Sequence, residues 1–83
     1  MIIEFSKSAS KDYQRLKKEN NSLHKKIKLL IEDIIENGNR GKPEKLKYAL
    51  SGYMSRRITQ EHRLVYRIEN DKLYIYSCYY HYD

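Results

Sequence analysis

The fold is decided by residues 61–80, which read EHRLVYRIENDKLYIYSCYY. Leu64, Tyr66 and Ile68 recur at every second position, and this period of two predicts a strand with one buried side. The pair Asn70-Asp71 is typical of a tight turn, and Leu73 to Tyr80 would form the returning strand. We therefore predict an antiparallel hairpin. The opposite side of its first strand carries Arg63, Val65 and Arg67.

The residues before this hairpin predict a further strand of the same sheet. Met54 and Ile58 would lie on one side of that strand, and turns are expected at Ser51-Gly52 and Gln60-Glu61. With the segment that starts at Leu46, these elements make an antiparallel meander of about four strands.

The first residues predict a short strand and then a helix. Ile2 to Phe5 suit the strand, and Ser6, Ser8 or Ser10 can cap a helix that ends near Asn20. Its apolar face is spaced by four and three residues, at Ala9, Tyr13 and Leu16.

A second helix has the clearest pattern and supplies the largest share of the core. Its apolar side chains follow the spacing of one helix face, whereas lysines and acids take the outer face. Asn21 or Ser22 can cap its start and Gly38 its end. The apolar face consists of Leu23, Ile27, Leu30, Ile31, Ile34 and Ile35.

The two helical segments are separated from the strands by a loop, Gly38 to Lys45, which reads GNRGKPEK. We predict an α+β fold in one domain, residues 1–83. An N-terminal strand and two helices would pack on one face of a twisted, mainly antiparallel sheet of about four to five strands. The other face would stay open and carry the arginines.

The charge points to an acidic partner. Seventeen basic and eleven acidic side chains give a net charge of +6, and residues 38–83 carry nine basic against five acidic groups. Eight of the nine tyrosines lie there too; they can stack on bases or simply fill a sheet. Besides Arg63, the cations expected to contact nucleic acid are Lys42, Lys45, Lys47, Arg56, Arg57 and Arg67.

Other classes of site are disfavoured. A single cysteine, Cys78, excludes an internal disulfide and is expected to be a small buried side chain rather than a nucleophile. No signal peptide or membrane span is visible, which favours the cytoplasm. Three scattered histidines show none of the usual metal-ligand spacings, so we expect no metal, and His24 and His62 are interpreted as structural.

The predicted topology brings together polar side chains that are distant in sequence: Glu44, Lys47, Arg63, His81 and Tyr82. Metal-free RNA cleavage needs a base for the ribose 2′-hydroxyl, a cation for the phosphorane and an acid for the leaving 5′-oxygen. A glutamate, an arginine and a histidine are able to fill these roles.

Residues 41–66 read GKPEKLKYALSGYMSRRITQEHRLVY, and residues 78–83 read CYYHYD. Both segments closely resemble the YoeB/Txe branch of the RelE superfamily of toxin-antitoxin endoribonucleases. The resemblance implies a ribosome-dependent enzyme that cuts messenger RNA in the decoding site without metal or cofactor. It implies that Glu44 is the base, Arg63 the transition-state cation and His81 the acid, with Lys47 and Tyr82 in support.

The resemblance also implies partners. It indicates a Phd/YefM-type antitoxin whose C-terminal segment covers or distorts the site, the ribosome with its message, and operator DNA bound only through the antitoxin complex. A homodimer is compatible with it, and no membrane is involved. Asp83 departs from the family's terminal His-Tyr pair and could alter His81.

Two other hypotheses stay open at this point. A non-catalytic member of the fold could bind DNA gyrase, as the related ParE toxins do, although those relatives lack the Glu/Arg/His set. Alternatively, the charge and the tyrosines would suit a nucleic-acid-binding module or an antitoxin-dependent co-repressor without activity.

Overall fold

The computed structural model describes residues 1–38 and 43–81, and at His81 it describes the main chain. The helices are α1 (Lys7–Glu19) and α2 (Asn21–Asn37), and a 3₁₀ turn spans Tyr48–Leu50. The strands are β1 (Ile2–Phe5), β2 (Glu44–Lys45), β3 (Met54–Arg57), β4 (His62–Glu69) and β5 (Lys72–His81).

The five strands form one sheet in the order β1-β5-β4-β3-β2. β1 runs parallel to β5, and every other neighbouring pair is antiparallel. The predicted α+β class, with two helices on a mainly antiparallel sheet, is confirmed. Neither helix in the described residues is long and apolar enough to cross a membrane.

The hairpin of β4 and β5 turns at Asn70-Asp71, as the sequence predicts. Both residues have positive φ angles, 51° and 61°, which is the backbone of a type I′ turn. Glu69 and Lys72 then face each other and fix the register of the two longest strands.

The cap of α1 also fastens the helix to the sheet. The Ser6 hydroxyl accepts a hydrogen bond from the Ala9 N–H at 3.1 Å and donates one to the Tyr76 carbonyl at 2.6 Å. Of the three serines considered, Ser6 is therefore the cap.

The prediction that Asn21 or Ser22 caps α2 is wrong, because the junction between the helices is one residue long. The Asn20 side chain accepts a hydrogen bond from the Leu23 N–H at 3.1 Å, while the Asn20 N–H donates to the Leu16 carbonyl. One asparagine thus ends α1 and starts α2, and Gly38 ends α2 as predicted.

The hydrophobic core lies between the helices and one face of the sheet. Helix residues spaced by three and four meet alternate residues of β4 and β5 there. The cluster contains Ala9, Leu16, Leu23, Ile27, Ile31, Ile34, Ile58, Leu64, Tyr66, Leu73, Ile75 and Cys78. Leu30 and Ile35 are only partly buried against it, and Ile68 is exposed rather than buried.

Two boundaries differ from the prediction. Glu44, expected in the loop, begins β2 and pairs with Ser55 of β3, so it belongs to the sheet. β3 ends at Arg57, one residue before Ile58. Ile58 is nevertheless fully buried on the predicted side, and its N–H donates to the His62 carbonyl.

The face of the sheet opposite the helices is covered at one end and exposed at the other. Val65 is fully buried without belonging to the helix-facing core, and Arg63 is 8% exposed. Farther along β4, Arg67 is exposed. The expectation of an open face is therefore wrong for the end that holds Arg63 and Val65, because both residues are buried. We call this whole surface the second face.

Arg56 does not lie on the second face, contrary to the expectation that it contacts nucleic acid. It pairs with Leu64, whose side chain is in the core, so the pleat directs Arg56 towards the helices. Its guanidinium donates to the Asp33 carboxylate of α2. Arg56 thus ties β3 to α2.

Replacing Ile34 by alanine should lower the free energy of unfolding by about 2–5 kcal/mol, because a fully buried side chain leaves a cavity. Leu29→Ala on the same helix is the matched control, since Leu29 is 66% exposed. Urea unfolding followed by circular dichroism measures both. Equal losses in the two variants would contradict the assignment of the core face.

The Asp33 contact predicts an acid-dependent loss of stability. The hydrogen bond from Arg56, and next that from Asn37, lower the pKa of the Asp33 carboxyl. A lowered pKa in the folded state stabilises the protein above the unfolded value, and this contribution disappears as the pH falls below about 4. Urea unfolding across that range should lose more stability in the wild type than in Asp33→Asn. The control Glu36→Gln removes a charge from the same helix and should follow the wild type.

Candidate active site

The sheet joins Glu44 and Arg63, which are distant in sequence. Glu44 Oε1 lies 3.2 Å from Arg63 Nη1, and the same nitrogen lies 3.5 Å from the Ser55 hydroxyl oxygen. The register explains the contact, since Ser55 of β3 stands between Glu44 of β2 and Val65 of β4. Two adjacent strand pairings therefore build this carboxylate–guanidinium pair.

The two partners differ in exposure. The Arg63 side chain is 9% exposed, whereas that of Glu44 is 56% exposed. A guanidinium keeps its charge at any pH relevant to proteins and offers five N–H donors in a fixed plane. Away from bulk water its attraction for an anion is stronger than at the surface. The pair thus presents a fixed cation beside an accessible carboxylate, a combination that suits phosphate chemistry.

The main chain of His81 reaches the same end of the sheet. In the register of β4 and β5, His62 pairs with His81 and Arg63 pairs with Tyr80. The backbone of His81 therefore adjoins the strand position of Arg63. Lys42, Tyr82 and Asp83, which were predicted to support or perturb the site, lie outside the described residues.

A cavity of about 420 Å³ opens beside the carboxylate of this pair. Lys45 and Lys47, two of the cations that the sequence predicted to contact nucleic acid, border this cavity. Tyr48, at φ 60°, is 93% exposed at its rim. The cavity is lined by Glu44, Lys45, Leu46, Lys47, Tyr48, Leu50 and Tyr80.

Sequence reasoning missed Ser55 and did not separate Tyr80 from the other tyrosines. Ser55 is 1% exposed and contacts Arg63, while Tyr80 faces Arg63 across the strands and lines the cavity. One signal for Ser55 was available in the sequence. It is a small polar residue on the predicted strand, and its side chain points to the face opposite to Met54 and Arg56.

The remaining predicted cations divide between two places. Arg57 pairs with Arg63 in the register of β3 and β4 and is exposed on the second face. Arg67 lies on that face at its exposed end, where its guanidinium contacts the rings of Tyr53 and Tyr74. Arg56 is not part of the site, because it binds Asp33. The residues that lie together at one end of the sheet are Glu44, Lys45, Lys47, Arg57 and Arg63.

The other two histidines take part in ring contacts. His24 lies 4.2 Å from Tyr13 between ring centroids, and burial, followed by Lys17 and Lys28, lowers its pKa. His62 stacks on Tyr79 at 3.8 Å. Among the side chains that the structure describes, those of residues 1–38 and 43–80, no three His, Cys, Asp or Glu are grouped so as to hold a metal ion.

Cys78 is a buried side chain, as expected, and belongs to the core rather than to the site. Its thiol donates to the Ala9 carbonyl at 3.3 Å, and burial raises its pKa to about 12. The thiol is therefore protonated at neutral pH.

Cys78 should consequently resist alkylation while the protein is folded, because the thiolate is the reactive species. We expect iodoacetamide at neutral pH to label the protein in urea and to leave it nearly unlabelled in buffer, as measured by intact mass. Rapid labelling of the folded protein would contradict the buried, protonated thiol.

The chain is similar to known proteins over nearly its whole length. The model of the YoeB-like toxins of bacterial type II toxin-antitoxin systems matches residues 5–82. Toxin YoeB of Escherichia coli strain K12 is 44% identical over 84 residues, which cover 99% of this chain and all of that protein.

Solved structures give the same result. A YoeB-YefM complex from Staphylococcus aureus contains a chain 47% identical to this one, with a TM-score of 0.89 over 99% of this chain and 98% of that chain. A YoeB dimer from the same organism matches with 46% identity and a TM-score of 0.88 over the same shares.

Proposed function

The chain belongs to the YoeB-like toxins of bacterial type II toxin-antitoxin systems, and on that premise we propose that it is a ribosome-dependent, metal-independent endoribonuclease that cuts messenger RNA in the decoding site. The observation that carries this proposal is the 3.2 Å contact between the accessible Glu44 carboxylate and the buried Arg63 guanidinium.

In the proposed reaction Glu44 accepts the proton of a ribose 2′-hydroxyl, and the 2′-oxygen attacks the adjacent phosphorus. The bond to the 5′-oxygen breaks, and His81 donates a proton to that leaving oxygen. The products are a 2′,3′-cyclic phosphate and a 5′-hydroxyl. One proton is accepted by Glu44 and one is donated by His81. A positioned base or acid contributes typically about 10² to 10⁴ in rate.

Arg63 has the role of binding the phosphorane, whose negative charge exceeds that of the starting phosphate. Its planar donors can hold Glu44 with one edge and phosphate oxygens with another. Because Ser55 and the neighbouring strands already hold the side chain, little reorganisation accompanies the reaction. Lys45, Lys47 and Arg57 would bind flanking phosphates, and Tyr82 and Lys42 would support the RNA.

The proposed partners follow from the family. We propose that a YefM-type antitoxin binds this chain and covers the site, and that operator DNA is bound through that complex. A homodimer is proposed by analogy with the YoeB dimer from Staphylococcus aureus. Because the proposed substrate is a message on the ribosome, we also propose a cytoplasmic location.

Replacing the proposed catalytic groups should greatly slow the cleavage of a translated message. We expect Arg63→Ala to reduce the rate roughly 10² to 10³-fold, and Glu44→Gln or His81→Ala roughly 10² to 10⁴-fold. Primer extension on a message in a purified translation reaction measures each rate. Lys18→Ala, on the exposed side of α1, is the charge-matched control.

Because Arg63 is buried, its replacement could disturb folding. The series therefore includes Arg63→Lys, which keeps the charge, and thermal unfolding of each variant. Wild-type cutting by Arg63→Ala or His81→Ala would reject the assigned roles. Inhibition of gyrase supercoiling with an intact message would instead favour the ParE-like alternative.

A further inference from the structure

Four side chains form a continuous series of contacts on the exposed end of the second face. The rings of Tyr53 and Tyr76 lie 5.2 Å apart between centroids. The guanidinium carbon of Arg67 lies 5.4 Å from the Tyr53 ring centroid and 5.2 Å from that of Tyr74. We call this set, Tyr53, Arg67, Tyr74 and Tyr76, the aromatic ladder.

The ladder is a surface rather than part of the core. Tyr76 is 38% exposed and the Arg67 side chain 46% exposed, and Tyr53 and Tyr74 are half-buried. Tyr66, by contrast, is fully buried under the helices. Most of a tyrosine's apolar area is normally placed against other protein atoms. Solvent-facing rings around a cation are therefore free to take a planar partner.

An irregularity of β5 helps to create the ladder. Ile75 pairs with Tyr66 and Ser77 pairs with Val65, so Tyr76 is an extra residue between two adjacent pairs. Such bulges re-aim a side chain and are frequent beside functional sites. The Tyr76 carbonyl is held by the Ser6 hydroxyl at 2.6 Å, which fixes the bulge against α1.

The ladder adjoins the candidate active site on the same face. Tyr53 precedes by two positions Ser55, which pairs with Glu44 and contacts Arg63, and two extended residues span roughly 7 Å. Arg67 follows Arg63 by four positions along β4, roughly 13 Å. An extended strand bound at Arg63 would thus meet the ladder within a few nucleotides.

The chemistry of the ladder favours single-stranded RNA over a protein segment. Base faces stack on tyrosine rings and on guanidinium planes, and Arg67 adds a positive charge in a chain of net charge +6. A cavity of about 260 Å³ beside the ladder is lined by Glu4, Arg67, Glu69, Asn70, Lys72 and Tyr74. Its two carboxylates are paired with cations, Glu69 with Arg67 at 3.9 Å and Glu4 with Lys72 at 3.2 Å. The amide of Asn70 can meet a base edge. Rings, cation and polar rim together match an unpaired nucleotide.

We propose that the aromatic ladder binds one or two unpaired bases of the same RNA strand whose phosphate lies at Arg63. This inference rests on the proposed function, because it extends the substrate path of that site. Stacking tolerates every base, so the ladder contributes affinity and alignment more than sequence preference.

The chain contains no tryptophan, which permits a direct optical test. Tyr76→Trp places a single indole on the ladder, and a short 2′-O-methyl oligoribonucleotide serves as a probe that lacks the hydroxyl needed for cleavage. We expect the oligonucleotide to quench the indole fluorescence as it binds. Leu29→Trp, on the exposed side of α2, is the control and should be unaffected.

Affinity provides the second measurement. Tyr76→Ala and Tyr53→Ala should each weaken binding of the labelled probe roughly 5- to 150-fold, as removal of a stacking ring does. Tyr76→Phe keeps the ring and should bind like the wild type. Thermal unfolding of each variant checks that the ring loss leaves the fold intact.

An indole at position 76 that is not quenched by saturating probe would overturn the inference. Unchanged probe affinity in both alanine variants would also overturn the inference. If these variants bound the probe normally and lost only antitoxin binding, the face would be assigned to protein binding instead. Failure of the proposed function gives a different result. A protein that does not cleave the message but whose indole at position 76 is quenched by the probe would retain the ladder as an RNA-binding surface.

Discussion

A buried charge has to be paired, and the guanidinium of Arg63 imposes this requirement on the rest of the structure. Its partner Glu44 reaches it because a two-residue strand, β2, extends the sheet beyond β3. The Ser55 hydroxyl oxygen lies 3.5 Å from the same guanidinium nitrogen. The edge strand β2, its neighbours β3 and β4 and the candidate chemistry are therefore coupled through one side chain.

The two faces of the sheet have separate tasks. The helix-facing side holds the apolar cluster and the Arg56–Asp33 contact, which fix how α2 lies on β3. The second face holds the Glu44–Arg63 pair at one end and the aromatic ladder at the other. Because neighbouring residues of a strand point to opposite faces, the same strands carry the core on one face and the candidate site on the other. A toxin of this size depends on such double use of its strands.

Sequence predicted the features that depend on local rules. The Asn70-Asp71 turn, the apolar face of α2 and the family resemblance follow from residue type and spacing, and the structure or the comparisons agree. The serines before α1 predicted a cap without deciding among Ser6, Ser8 and Ser10, and the structure shows that it is Ser6.

Features that depend on tertiary pairing were missed. The capping role of Asn20 arises from a one-residue junction, and the orientation of Arg56 arises from the register of β3 with β4. No local pattern announces the irregular register of β5 or the partner of Arg63. For the site, the sequence selected Glu44 and Arg63, whereas Ser55 required knowledge of which strands are neighbours.

The order of the strands also bears on how the chain is made. β1 is the first element, and in the described sheet it is bonded to β5, which follows all the others. During synthesis β1 must wait for its partner, since such a contact spans nearly the whole described chain and carries a large loop-closure cost. The nascent polypeptide therefore cannot complete its sheet until β5 has left the ribosome.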